Sequence, residues 1–336
     1  MPKIGFHASH EQFAPSALLA CVKAAAKAGF SGAMSSDHFG PWSEAQGHSG
    51  FAWSWLGAAM ASTDLSFGIV TTPIGLRYHP AIIAQAGATL AEMFPGRFWM
   101  ALGSGEALNE RITGLRWPAK AERNARLKEA AEVMRALWAG ETVTRDGLIP
   151  VEEAKLYSRP AEPPRIVAAA LTPETARWVA SWADGLITIN KPVEQQRQLI
   201  EAFREGGGEG KPLFLQVHLS YAASDEQARR NAHEQWRTNT LAGTVAAELK
   251  LPEQFDAATR FVRPEDLDDS VRISADLSRH IDWIAEDLGL GFEEIYLHNV
   301  GQNQRAFIEA FGEKVLPALA GTIAGQSTHL RDAAAG

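Results

Sequence analysis

The chain of 336 residues has a single cysteine, Cys21, which excludes an internal disulfide framework and a cysteine-based metal cluster. Cys21 falls in the helical-looking run 15–29 and reads as a small buried hydrophobe. No apolar run reaches the about 20 residues that a membrane-spanning helix needs. No Lys/Arg-rich stripe is present and the formal net charge is -8, so nucleic acid is not an expected partner. No histidine pair has the H-x-x-x-H or H-E-x-x-H spacing of a helical metal site, so no catalytic metal is expected. No G-x-G-x-x-G follows the first apolar run, which argues against an open dinucleotide-binding sheet. The N-terminus carries no signal-peptide pattern, and a cytoplasmic location is expected.

What is present is an alternation. With 46% hydrophobic and 21% charged residues the composition is that of an ordinary globular protein. Strand-like runs are expected at 3–7, 32–36, 65–72, 98–103, 165–170, 185–189, 213–220 and 294–299. Helical runs lie between them at 16–28, 51–61, 80–93, 119–139, 173–182, 193–205, 225–236 and 277–288, with a closing helix at 303–319. Two stretches interrupt the pattern: an irregular or hairpin excursion at 143–164 and a second insertion at 240–278. Eight strands alternating with helices and no linker predict an α/β fold, a single (β/α)8 TIM barrel over residues 1–321. The insertions then follow strands 4 and 7, and the small, polar tail 322–336 is expected to be flexible.

In such a barrel, reactive groups sit where strands end and βα loops begin. The predicted strand ends are rich in them: His7; Asp37-His38, with Trp42 beyond; Val70-Thr71-Thr72; Gly103-Ser104-Gly105-Glu106, with Asn109 one turn on; Ala170-Leu171-Thr172; Thr188 and Lys191; His218; and His298. An acid, an imidazole and an indole within the six residues from Asp37 to Trp42 are the parts that hold a flat aromatic cofactor and move a proton beside it. Plainer readings exist. Ser104 could cap a helix with carboxylates in its first turn, His218 could simply be packed, and Trp53 and Trp55 read as core. Thr172 is placed to cap a helix beginning at Pro173, whose free N–H groups could hold a phosphate.

Three segments together carry a resemblance: Ser36-Asp37-His38-Phe39 with Trp42, Arg77-Tyr78-His79-Pro80-Ala81 with Ala84-Gln85, and Gly103 through Glu110. They resemble the bacterial luciferase-like (LLM class) flavin-dependent oxidoreductases, over about residues 3–319. Within that superfamily the similarity is to the branch of F420-dependent glucose-6-phosphate dehydrogenases. It is nearest to relatives described as FMN-type oxidoreductases, which share the opening Ile4-Gly5-Phe6-His7-Ala8-Ser9-His10-Glu11-Gln12-Phe13. The resemblance implies a (β/α)8 barrel with an insertion.

It further implies that Asp37 contacts the cofactor and that His38 sits beside the hydride-transfer centre, with His38 and Glu106 in acid–base roles. Trp42 would pack near the ring system; Val70, Thr71, Thr72, Ser104, Gly105, Asn109, Ala170 and Leu171 would line the cofactor, and Thr172 would meet its phosphate. Thr188 and Lys191 match residues that hold a substrate phosphate, and His7 and His298 are candidates for substrate contact. The basic groups that complete such a site are absent at Phe292-Glu293-Glu294, with the other position near Ala258-Thr259-Arg260. Glutamates facing a dianion would hold glucose 6-phosphate poorly.

The implied activity is hydride transfer between a small sugar- or alcohol-like substrate and a flavin or deazaflavin. FMN is the expected cofactor and F420 the alternative. Two other functions stand beside it: a monooxygenase using reduced FMN, oxygen and a partner flavin reductase, and a flavin-binding barrel without turnover. A homodimer is expected. Val70-Thr71-Thr72-Pro73 occupies the position of an unusual non-prolyl cis bond in the family.

Overall fold

The computed structural model describes residues 2–320; the tail 322–336 lies outside them. Eight parallel strands, β1 (Lys3–Ala8), β2 (Gly32–Ser36), β3 (Ser66–Pro73), β4 (Phe98–Gly103), β5 (Arg165–Ala169), β6 (Gly185–Ile189), β7 (Leu213–Ser220) and β8 (Glu294–Asn299), pair in sequence. The β6–β7, β7–β8 and β8–β1 pairings close the sheet into a barrel. Around it lie α1 (Pro15–Lys27), α2 (Ala52–Ser62), α3 (Pro80–Met93), α4 (Lys120–Ala139), α5 (Pro173–Ala180), α6 (Val193–Phe203), α7 (Asp225–Trp236), α8 (Leu277–Gly289) and α9 (Gln304–Ala310). The expected (β/α)8 architecture is therefore the observed one.

Differences from the sequence reading are local. The first insertion contains an antiparallel hairpin, Val143–Arg145 with Val151–Ala154. The second contributes a two-residue strand, Arg272–Ile273, which extends the sheet beside Leu219 and Ser220 of β7. The expected closing helix is interrupted by a π turn at Phe311–Val315, where Gly312 lies against Ala28; an added Cβ there would stand 2.7 Å from the Ala28 carbonyl oxygen. Helix α6 stops at Phe203 and unwinds through a second π turn, in which Gly207 takes φ 100°, a conformation that favours glycine. Cys21 is half-buried and packs against the core.

The barrel interior is filled by Met34, Val70, Trp99, Ala101, Val167, Ile187, Phe214 and Tyr296. Two of these need glycine opposite them. A Cβ at Gly5 would stand 2.4 Å from the Tyr296 ring, and one at Gly68 would stand 2.1 Å from Trp99. The Trp99 indole donates to the Tyr296 hydroxyl at 3.1 Å, Tyr296 donates to Glu294 at 2.5 Å, and Glu294 pairs with Lys3 at 3.1 Å. This chain of bonds plugs the N-terminal end of the barrel. Glu294 is the first residue of β8 and pairs across to Lys3, the first of β1. It therefore sits at the opposite end from the strand C-termini and does not face a substrate there. The objection to an anionic substrate that rested on Glu293-Glu294 does not hold.

Candidate active site

At the C-terminal rim, Asp37 is the most heavily committed side chain. It is buried, and its Oδ2 accepts from the Thr72 hydroxyl (2.9 Å) and the Trp53 indole (3.3 Å). Its Oδ1 accepts from Tyr78 (2.9 Å) and the Arg77 guanidinium (3.2 Å). Arg77 also reaches Glu110, whose Oε1 lies 3.2 Å from Nε and whose Oε2 accepts from the Arg77 backbone N–H at 2.8 Å. The ends of β2 and β3 and the turn after β4 are thereby tied together by one guanidinium. Both Asp37 oxygens and the Thr72 hydroxyl are spent on protein partners. Burial beside Asp37 pushes the Tyr78 phenol well above its usual range. Val70 and Thr71, joined by a cis peptide bond, lie at the same rim.

His38 follows Asp37 and faces three groups. Its ring packs on Trp42 at 4.8 Å between centroids, its Nε2 lies 3.5 Å from Glu11 Oε1, and its Nδ1 lies 3.2 Å from Asn109 Nδ2. Burial lowers the His38 pKa, an effect that Glu11 opposes and Arg77 reinforces. Glu11 is itself buried. Burial favours its neutral form, but the His38 charge and the Ser36 hydroxyl, donating at 2.6 Å, hold the carboxyl below its ordinary value. Ser9 donates to the same oxygen at 2.9 Å.

Glu106 is the N-cap of a short turn, Ala107–Glu110, so the cap predicted at Ser104 falls two residues later. Gly105, at φ 74°, takes the chain around the corner into it. Burial, then the nearby Glu11 and Glu110 charges, push the Glu106 carboxyl up to about 8. Burial likewise raises Glu110 to about 7, against the pull of Arg77. Near neutral pH, Glu106 is thus an acid that still carries its proton, close to a carboxylate that does not.

Below His38 the lumen holds neutral imidazoles. His7 and His298 stack at 4.5 Å, and His218 and His298 lie 5.6 Å apart. Burial lowers His7 to about 4 and His218 to about 3, and pushes His298 well down. Gln12 accepts from His298 at 2.8 Å while donating to Val300 O at 2.7 Å; the Nδ1 atoms of His7 and His298 are buried without a partner. Among the described residues no group of three or more His, Cys, Asp or Glu side chains could hold a metal ion.

Thr188 and Lys191 share no hydrogen bond with this cluster. The Thr188 hydroxyl is buried and unpartnered, and Lys191 lines a cavity of about 530 Å³ with Asn190, Arg229, Arg272, Arg279 and Asp269. Burial lowers the Lys191 ammonium. Arg229 and Arg272 are paired with Asp268 and Asp287. Arg260, by contrast, is exposed against Phe261. Ala170 is buried, Leu171 is half exposed, and Thr172 caps α5 by accepting from the Thr175 N–H at 3.3 Å, as its spacing predicts. Ser104 is half-buried.

The second insertion closes over one side of the mouth. Its Phe255 packs edge-on against Trp42 at 5.4 Å, and Asp256 accepts from the Glu44 N–H at 3.0 Å. The Ala247 carbonyl accepts from the Ala107 N–H at 3.0 Å, and Glu248 lies 3.5 Å from Arg123.

Sequence reasoning put His38, Trp42, Asp37, Glu106, Asn109 and Glu110 at predicted strand ends but gave Glu110 no role and passed over Glu11 and Arg77 as members of the cluster. The available signal was an acidic residue, Glu11, just beyond a strand end, in a segment otherwise free of charge from Ile4 to Phe13.

Comparison with known proteins agrees with this geometry. A family model described as luciferase-like monooxygenase matches residues 1–294. The F420-dependent glucose-6-phosphate dehydrogenase of Beutenbergia cavernae is 36% identical over 329 residues, covering 95% of this chain and 98% of that one. An F420-dependent secondary alcohol dehydrogenase, solved with an F420-acetone adduct, superposes with a TM-score of 0.86 at 29% identity, covering 95% of this chain and 99% of that one. A type II Baeyer-Villiger monooxygenase from Pseudomonas putida, in complex with FMN, has a TM-score of 0.69 at 15% identity over 94% and 99% of the two chains, and shares the fold alone. The expectation of FMN ahead of F420 thus finds no support among the nearer relatives, whose named cofactor is F420.

Proposed function

The chain belongs to the luciferase-like monooxygenase family of oxidoreductases, and on that premise we propose that it is an F420-dependent dehydrogenase of a small carbinol, a secondary alcohol or sugar. The observation that carries this reading is the opposition at one rim of a protonated carboxyl, Glu106, and a His38–Glu11 pair able to take a proton. The mouth fits a flat ring with an anionic tail on its own chemistry. Leu171, Phe39 and part of Trp42 are exposed apolar faces, the Glu106 carboxyl has no hydrogen-bond partner among the described residues, and at the start of α5 the Glu174 N–H is left over once Thr172 has taken those of Thr175 and Ala176.

When bound, the deazaflavin would supply the hydride chemistry. The chain's own residues do the rest. Trp42 walls the ring side, with Ser104, Gly105, Asn109 and the Val70–Thr72 segment around it. His38 and Glu11 together take the hydroxyl proton of the alcohol, and Glu106 holds its proton over the cofactor side. Lys191 and Thr188 would hold the distal polar end of the substrate, and His7 and His298 the floor of its pocket. The same reading carries a single barrel over 1–321, a cytoplasmic location and a homodimer; no helix among the described residues is long and apolar enough to cross a membrane.

The deciding experiment is anaerobic. F420 is titrated into the protein, and a panel of secondary alcohols, sugars and sugar phosphates is screened for loss of its oxidised absorbance. Reduction of F420 by one carbinol class is the expected result. Failure to bind F420 at micromolar concentration, with oxygen consumption on reduced FMN instead, would overturn it. Activity is expected to decline above about pH 8 as Glu106 ionises, and Glu106→Gln removes that limb while lowering turnover.

A further inference from the structure

Asn109 was expected to line the cofactor, but its amide has a second task that can be read from its neighbours. Its Oδ1 accepts from two backbone N–H groups, Phe39 at 2.8 Å and Gly40 at 3.3 Å. A backbone N–H can only donate, so the oxygen end of the amide must face the 39–40 loop. The Nδ2 end is then turned toward His38 Nδ1, 3.2 Å away. An amide NH2 can only donate as well, so Nδ1 must be the acceptor. In a neutral imidazole the proton then resides on Nε2, the nitrogen that faces the Glu11 carboxylate.

We propose that Asn109 is a positioning residue that fixes His38 in its Nε2–H tautomer, leaving Nε2 as the only ring nitrogen available to the reacting oxygen and to Glu11. In that tautomer Nε2 donates and cannot accept, so the substrate hydroxyl passes its proton to the Glu11 carboxylate that Nε2–H faces, and Nδ1 takes no part.

The anchorage of Asn109 supports the role. It sits in the turn Ala107–Glu110, whose last residue is gripped by Arg77 through side chain and backbone. Arg77 is in turn bound to Asp37, the residue preceding His38. The donor and the ring it orients are thus held from both sides by one guanidinium, across a separation of 71 residues in sequence. The other titratable or charged groups facing His38 are Glu11, Arg77 and Asp37, with His7 and His10 beside it. Among side chains only Asn109 is hydrogen-bonded at Nδ1; the Gly40 backbone carbonyl also acts on the ring and raises its pKa, so the tautomer is set by the Asn109 amide against that carbonyl.

The inference leans on the proposed dehydrogenase reading for the reaction, but its test does not. Histidine ring 15N–1H spectra are recorded on cofactor-free protein, with His38 assigned by the signals missing in His38→Gln. The wild type is expected to show a neutral His38 protonated at Nε2. In Asn109→Asp the new carboxylate keeps the two loop N–H bonds and accepts where the amide donated. His38 is then expected to move its proton to Nδ1 or become an imidazolium, titrating at higher pH than in the wild type. Asn109→Ser, whose short hydroxyl cannot span both partners, is expected to leave a mixture of tautomers. An Nδ1–H ring in the wild type, or an unchanged His38 spectrum in both folded variants, would overturn the proposal. Loss of F420 binding in Asn109→Asp with an unchanged His38 spectrum would do so too, assigning Asn109 to the cofactor alone. If the wild-type spectrum is as expected but no carbinol reduces F420, the tautomer stands and the dehydrogenase reading falls.

Discussion

The two ends of the barrel both bury polar groups, and they treat them in opposite ways. At the floor, Trp99, Tyr296, Glu294 and Lys3 form a chain in which each donor has an acceptor. At the mouth, the His7 and His298 Nδ1 atoms and the Thr188 hydroxyl are buried without partners, and Glu106 is pushed to about 8. Unpaired buried polarity costs stability, and folded proteins keep it rare. The floor spends polarity on holding the strands; the mouth leaves it available for chemistry. Asp37 is the exception within the mouth: four donors converge on it, so it belongs with the floor in kind.

This contrast can be broken by variants that move stability and turnover separately. The largest effect is expected for His38→Ala: turnover falls about 10²–10⁴-fold, with cooperative unfolding retained. Retention of full turnover with cofactor bound would remove His38 from the chemistry. Next comes Asp37→Asn, which deprives the buried Arg77 of one of its two carboxylates. A loss of about 3–5 kcal/mol in denaturant unfolding is expected, as for a broken buried pair; a loss below about 1 kcal/mol would show the hub to be dispensable.

At the floor, Gly68→Ala places a methyl 2.1 Å from Trp99. A cost of about 1–3 kcal/mol is expected, with KM unaltered; a raised KM would mean that the floor reaches the substrate. The smallest effect is a slope with pH. His7, His10 and His218 have folded pKa values lowered to about 4, 4 and 3. Below their unfolded value of about 6.5 the unfolded chain takes up protons that the fold refuses, so their stabilising contribution drains away as pH falls from about 6.5 toward 4. Glu106 runs the other way, its raised pKa giving stability that is lost as pH rises from about 4.5 through about 8. Urea unfolding at pH 7 and pH 5 should show the lower value at pH 5, and His218→Gln should flatten the difference.

Most of the fold was legible because parallel strands and their helices announce themselves locally. All eight strands were placed to within one residue at either end, and Thr172 with Pro173 marked a helix start by chemistry alone. The positions of His38 and Glu106 followed from the rule that barrel chemistry sits at strand ends. What could not be read were bonds closing over long loops. Nothing near Arg77 in the sequence says that its guanidinium spans Asp37 and Glu110, 40 residues before it and 33 after. The same blindness placed Glu294 in front of a substrate: a glutamate at the first residue of a strand and one at its last look alike until the barrel fixes which end is open.

The hydrogen bond from the Ala107 N–H to the Ala247 carbonyl acquires a meaning beyond cover. It joins the second insertion to the very turn whose third residue, Asn109, holds the His38 ring. Lifting that insertion off the mouth must break the bond at the foot of the turn. The segment that covers the mouth and the amide that faces the imidazole therefore share one support, so that a change in the insertion is felt at the His38 ring through a single turn of four residues.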